Sequence, residues 1–165
     1  MAKTTIISGE FKGHPIFTPS TGLTHPMGSR EKLALFNALE SQYGPLVGVR
    51  VLDCFCGSGA LGLEAISRGV KDVIFVDRDS GAIQATKQNI RALKVEKKAK
   101  VIKSDYKNLP ENPYFLQNDT KFDIILADPP YDNYPKTLGV LATFLKKEGI
   151  LVLSHPSSVN PEEIL

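Results

Sequence analysis

Five short apolar runs punctuate the chain from residue 47 onward: Val49 to Leu52, Val73 to Val76, Lys100 to Ile102, Phe122 to Ala127 and Ile150 to Leu153. Short, nearly continuous apolar runs of this kind are strands buried on both faces. Helical patterns fill the gaps. Gly59 to Arg68 stops at Gly69, Ser80 to Leu93 starts from a capping serine, and Pro135 to Lys147 opens with a proline, which a first turn tolerates. The alternation predicts a doubly wound α/β domain, a mostly parallel sheet with helices on both faces joined by right-handed crossovers. Residues 104 to 121 are polar and predicted as a long loop.

The pattern changes at Gly44-Pro45. Upstream, Thr4 to Ser8 and Pro15 to Thr18 flank Gly9-Glu10-Phe11-Lys12-Gly13, which predicts two short strands joined by a glycine-containing turn. A helix follows, with Ser29 as its cap and Leu33, Phe36, Leu39, Ala34 and Ala38 as its core stripe. Residues 1–46 read as an N-terminal hairpin-and-helix appendage and 47–165 as the α/β domain, the two forming one compact unit.

A length of 165 residues, with 42% hydrophobic and 23% charged, fits one globular domain and argues against disordered and fibrous classes. The apolar runs are far shorter than the roughly 20 residues of a membrane span, and no signal peptide opens the chain, so no membrane partner and a cytoplasmic location are expected. A net charge of +2 does not diagnose nucleic-acid binding. Lys94, Lys97, Lys98, Lys100 and Lys103 read as a solvated turn, while Lys3, Lys12, Arg30 and Lys32 are candidates for tracking phosphates. Cys54 and Cys56 lack a second pair for zinc and read as small buried thiols. His14, His25 and His155 show neither hydrolase nor metal-ligand spacing, so no metal is expected.

Doubly wound sheets bind ligands beyond the carboxyl ends of their strands, which gives weight to the residues there. The first strand runs into Asp53-Cys54-Phe55-Cys56-Gly57-Ser58-Gly59-Ala60-Leu61-Gly62, a glycine-rich turn opening a helix. The second ends at Asp77-Arg78, whose carboxylate suits the two hydroxyls of a ribose or the cap of a helix. The third ends near Asp105-Tyr106. Gly57, Gly59 and Gly62 match the dinucleotide pattern, with Asp77 at the spacing of a ribose-binding acid. Asp53 beside the turn disfavours a pyrophosphate and favours a cationic amino-acid end, so the charge prefers S-adenosylmethionine over a dinucleotide.

Asp128-Pro129-Pro130-Tyr131 closes the fourth run. Two prolines remove two backbone donors, stop the strand and are expected to leave its last carbonyls unpaired. A rigid loop with a carboxylate, bare carbonyls and an aromatic ring suits a planar amino group, which offers two N–H donors and a stacking face.

Together, Ile6 to Gly13, Asp53 to Ala65 and the tetrapeptide at 128–131 resemble the RsmD family of bacterial ribosomal RNA methyltransferases, over nearly the whole chain. The resemblance is weakest over His25 to Leu33. After the fifth strand only Pro156 to Leu165 follows, where the family has two further strands. It implies methylation of the exocyclic amino group of a guanine in small-subunit (16S) ribosomal RNA, with S-adenosylmethionine as donor and the small subunit or its assembly intermediate as partner. A monomer is expected. Asp128, Pro129, Pro130 and Tyr131 are then the catalytic residues, and Asp53, Phe55, Gly57, Ser58, Gly59, Asp77, Arg78, Asp105 and Tyr106 the cofactor-binding ones. Other planar nitrogens (adenine, cytosine, glutamine) and a nicotinamide-dependent oxidoreductase remain the alternatives.

Overall fold

Side chains alternate across each central strand, and here both alternating sets are apolar, so helices must cover both faces. The computed structural model describes residues 3–19, 27–118, 120–129 and 134–154. Its elements are β1 (Lys3–Thr5), β2 (Pro15–Phe17), α1 (Ser29–Tyr43), β3 (Arg50–Cys54), α2 (Ala60–Ser67), β4 (Asp72–Asp77), α3 (Ser80–Leu93), β5 (Ala99–Lys103), α4 (Pro113–Asn118), β6 (Phe122–Ala127), α5 (Tyr134–Ala142) and β7 (Leu145–Leu153). Strands β3 to β7 form one parallel sheet in the order β5-β4-β3-β6-β7. The chain steps outward from β3 to β5 and then returns to the other side of β3. Strand order therefore reverses between β3 and β6, and their carboxyl ends open a crevice.

Val51, Val73, Phe75, Ile124 and Leu126 share one core with residues of α1, α2, α3 and the N-terminal hairpin. Leu52, Cys54, Ile74, Val76, Ile125 and Ala127 form the other, with Phe115 of α4, Leu141 of α5 and Leu109 and Phe144 beside them. Each fully buried aliphatic or aromatic side chain contributes about 1.5–3 kcal/mol.

β1 and β2 pair antiparallel, and the hairpin docks on α2 through a buried carboxylate. Glu64, fully buried, accepts Ile7 N–H at 2.9 Å and Ser8 N–H at 3.2 Å. Lys32 Nζ and Arg68 Nε lie 3.5 and 3.0 Å from its two oxygens, and Lys32 also donates to the Thr5 carbonyl. Two cations and two amides satisfy one buried anion. Ser67 Oγ donates to Ser8 O and accepts Phe11 N–H. At Gly9, φ is +88° and a Cβ would lie 2.0 Å from Ser67 O, so this position requires glycine.

Several local expectations are corrected. Ser29 is the first residue of α1, preceded by Gly28 without a side-chain cap. The helix buries Lys32, Phe36 and Leu39, whereas Leu33 is 40% exposed and Ala34 and Ala38 face solvent. The stripe is rotated because Glu64 offsets the cost of burying Lys32. Lys32 therefore tracks no phosphate; Lys12 and Arg30 stay exposed, as do Lys94, Lys97, Lys98, Lys100 and Lys103. The cap of α3 is Asp79, whose carboxylate accepts Ala82 N–H, not Ser80. Residues 104–121 hold a 3-10 turn (Tyr106–Glu111) and α4, anchored by buried Leu109 and Phe115. The helix expected to reach Lys147 stops at Ala142; Leu145 already pairs with Phe122, and a bulge with Glu148 at φ 69° realigns the strand. Its lysines lie on a sheet edge, which helical periodicity does not distinguish from a helix surface. Among the described residues no helix is long and apolar enough to cross a membrane.

Candidate active site

After β3 the chain must turn from strand to helix within five residues, and it does so through positive φ angles at Phe55 (62°), Gly57 (56°) and Gly59 (83°). Glycine adopts them freely. Phe55 does not, and a bulky residue held there stores about 1–3 kcal/mol of strain, of the kind found at functional sites. Gly57 N–H donates to Asp77 Oδ2 at 3.0 Å, and the other Asp77 oxygen accepts Asp79 N–H at 2.9 Å. The carboxylate at the end of β4 thus laces the glycine turn to the start of α3. Ser58 is turned inward, and its carbonyl accepts a hydrogen bond from Asn89 Nδ2 at 2.9 Å.

Asp53 sits beneath the turn, 2% exposed, with Oδ2 accepting Gly62 N–H at 2.9 Å. Gly62 is glycine because α2 lies so close to the sheet that a Cβ would meet Phe75 Cε1 at 2.3 Å. Burial pushes the Asp53 carboxyl well above the usual carboxylate range against that hydrogen bond, and the charges of Asp128 and Asp77 add to the rise. Burial likewise pushes the thiols of Cys54 and Cys56 up, with Asp53 adding to it, and both remain protonated buried cysteines.

A cleft opens beside the turn, bounded by six of the residues singled out in the sequence: Phe55, Asp77, Arg78, Asp105, Tyr106 and Pro129. Phe55 and Tyr106 meet with ring centroids 5.6 Å apart. Arg78 reaches over the rim to within 3.8 Å of Asp105, which also caps the following 3-10 turn through Lys107 N–H. Five further lining residues were not named as site residues: Cys54, Val76, Ser104, Lys107 and Thr137. Ser104 and Lys107 flank Asp105-Tyr106, so adjacency would have found them; Thr137, on α5, arrives only through the tertiary fold.

A second hollow lies on the other side of the β6 end, walled by Met27, Leu35, Leu61 and Val152 with Asp128 and Ser154 among its polar lining. Pro129 borders the first space and Asp128 the second, so the dipeptide stands where the two meet. Burial raises the Asp128 carboxyl above its ordinary value, opposed by a hydrogen bond with the Ser154 side chain and helped by the charge of Glu31. The strand end is less bare than expected, since the Ala127 carbonyl accepts Ser154 N–H at 2.9 Å. Pro130 and Tyr131 lie outside the described residues. The arrangement offers a polar and aromatic cleft for a nucleoside-like ligand beside a mostly apolar hollow with a carboxylate at its edge.

Residues 4–165 match the family model described as "Conserved hypothetical protein 95". The chain is 35% identical over 166 aligned positions to "Putative rRNA methyltransferase YlbH" of Bacillus subtilis, covering 96% of this chain and 86% of that protein. It is 32% identical to "Ribosomal RNA small subunit methyltransferase D" of Escherichia coli, over 76% of this chain and 59% of that protein. Among solved structures, a hypothetical protein of Thermus thermophilus superposes with a TM-score of 0.81 at 30% identity, covering 95% of this chain and 88% of the other.

Proposed function

Since the chain belongs to the family described as conserved hypothetical protein 95, we propose that it transfers a methyl group from S-adenosylmethionine to the exocyclic N2 of a guanine in small-subunit ribosomal RNA. Relatives named as ribosomal RNA methyltransferases support the reaction class and the RNA. The observation that carries the reading is the junction at the switch point, where Pro129 borders the polar cleft and Asp128 the second hollow. Guanine N2 is the acceptor that a carboxylate beside a proline carbonyl suits, because its amino group presents two hydrogens in one plane.

The cleft fits the donor. Asp77 keeps lone pairs for ribose hydroxyls beside its bonds to Gly57 and Asp79, Phe55 and Tyr106 supply apolar walls for a purine, and the positive-φ turn lets a ligand approach the backbone. No phosphate is required, in keeping with two acids, Asp77 and Asp105, lining the cleft. S-adenosylmethionine supplies an electrophilic methyl on a sulfonium, whose departure as a neutral thioether needs no metal.

The protein's own task is the nucleophile, because the guanine amino lone pair is delocalised into the ring. Asp128 accepts a hydrogen bond from one amino hydrogen and the Pro129 carbonyl from the other, which orients the nitrogen and stabilises the positive charge developing on it until one amino proton is lost to water and neutral N2-methylguanine remains. Tyr131 serves as the stacking face for the base. A base in folded RNA is splayed out before it enters, at a few kcal/mol offset by stacking and hydrogen bonds.

The test is transfer of labelled methyl from S-adenosylmethionine to unmodified small-subunit ribosomal RNA and to assembled particles, with the product nucleotide mapped. The expected product is N2-methylguanine at one site, lost in Asp128→Ala. Labelling of adenine or cytosine would overturn the acceptor, and no labelling of either substrate would overturn the function.

A further inference from the structure

Helix α3 carries two polar residues on its buried face, and neither contacts the cleft. Thr86 and Asn89 are 0% and 1% exposed, and their three-residue spacing puts them on one side of the helix, behind the glycine turn. Thr86 Oγ1 donates to the Gly57 carbonyl at 2.8 Å. Asn89 Nδ2 donates to the next carbonyl, Ser58 O, at 2.9 Å, and also to Phe17 O at 2.9 Å, while Asn89 Oδ1 accepts Phe17 N–H at 3.1 Å. One amide therefore pairs with the backbone of β2 as a neighbouring strand would and gives its remaining hydrogen to the turn.

The consequence for the turn follows from peptide geometry. In a trans peptide the N–H points opposite to the preceding C=O, and the described chain has no cis peptide. Holding the Gly57 carbonyl on α3 therefore turns the Ser58 N–H away from α3, while Gly59 N–H is already engaged with Cys56 O at 2.8 Å. A Cβ at Gly59 would sit 3.1 Å from Thr86 Cγ2, so α3 packs closely against the turn at this position. Thr86 thus sets the direction of the Ser58 N–H, while Asn89, anchored to the N-terminal segment, holds the Ser58 carbonyl of the same turn.

We propose that Asn89 is a positioning residue for the methyl donor, fixing the Gly57–Gly59 turn against strand β2 so that the N-terminal hairpin is a structural part of the donor site. The proposal rests on the donor assignment above. Asn89 touches no reactant; it acts through the Ser58 carbonyl, and β2 acts through Asn89.

Three variants test it: Asn89→Ala, Asn89→Asp, which keeps the acceptor for Phe17 N–H but sets oxygens against two carbonyls, and Phe17→Pro, which deletes the N–H that Asn89 accepts. Calorimetry with S-adenosylhomocysteine, steady-state kinetics with ribosomal RNA and thermal melting are read together. The dissociation constant and the donor KM are expected to rise about tenfold or more in the Asn89 variants, and about two- to tenfold in Phe17→Pro. At saturating donor, kcat is expected to stay within about twofold of wild type, and the KM for RNA to be unchanged. Folded variants with a lowered melting midpoint but wild-type donor affinity would show a merely structural residue and overturn the proposal. If the Asn89 variants do not fold, Phe17→Pro decides by the same criterion. A wild-type protein that binds no S-adenosylhomocysteine would instead refute the donor assignment.

Discussion

Asp128 and Asp53 both carry raised carboxyl pKa values, and their positions give the rise opposite meanings. Asp128 must be ionised to accept an amino hydrogen, so its raised pKa makes activity fall, as pH drops, at a higher pH than the ordinary value of about 3.9 would give. A kcat profile from pH 4 to 9 should show that acidic limb. Asp128→Asn is expected to lower kcat by about 10²–10³-fold, the range for a deleted preorganised hydrogen-bonding group, with little change in donor affinity. Asp53 instead supports the turn from below, and its charge is destabilising. The folded state holds the Asp53 proton to higher pH than the unfolded chain does, so folding stability is lost as pH rises from about 4 toward the raised pKa. Asp53→Asn keeps an acceptor for Gly62 N–H and removes that destabilising charge. Its melting midpoint should exceed the wild type's at pH 7 and match it near pH 4; an equal midpoint at both would show that folding does not raise the Asp53 pKa.

Helix α2 shows how one short element serves two units. Its first turn follows the glycines, Gly62 brings it against Phe75, and Glu64 and Ser67 at its far end hold the hairpin. Glu64→Ala leaves Lys32 without its counter-charge and two amides unpaired, for an expected loss of about 3–5 kcal/mol in urea unfolding. Gly9→Ala must displace the hairpin from Ser67 and adopt a disfavoured φ, and should also lower the urea midpoint; an unchanged value would mean that the hairpin docks differently. These contacts explain where the elements departed from periodicity. Lys32 reads as surface until Glu64, 32 positions later, neutralises it, and the end of α5 reads as helix because a polar edge strand and a polar helix surface look alike in one dimension. The caps of α1 and α3 fell one residue from the serines that signalled them.

For the molecule as a whole, the sheet order places the ends of β3, β4, β5 and β6 around one crevice, and that placement assembles residues as far apart in the chain as Phe55 and Pro129 into one cleft. A donor bound there stabilises only the folded chain. S-adenosylhomocysteine at 100 times its dissociation constant should contribute about 2.7 kcal/mol and raise the melting midpoint by about 5–10 °C. NAD at matched concentration is expected to leave the midpoint unchanged, and a shift with NAD alone would favour the dinucleotide reading.

The sequence by itself determined the strands, the glycine turn and the acids that follow β3, β4 and β5, because each is written in a local signal: an apolar run, a residue able to take positive φ, a carboxylate at a strand end. It also carried the family resemblance, through residues 6–13, 53–65 and 128–131. Only the tertiary structure decided which carboxylate faces the cleft and which lies under it, since Asp53 and Asp77 look alike along the chain and differ in what packs over them. It likewise decided that Lys32 and Asn89 are interior. Burial of a polar side chain depends on partners that sequence distance hides, Glu64 for one and the backbone of Phe17 and Ser58 for the other.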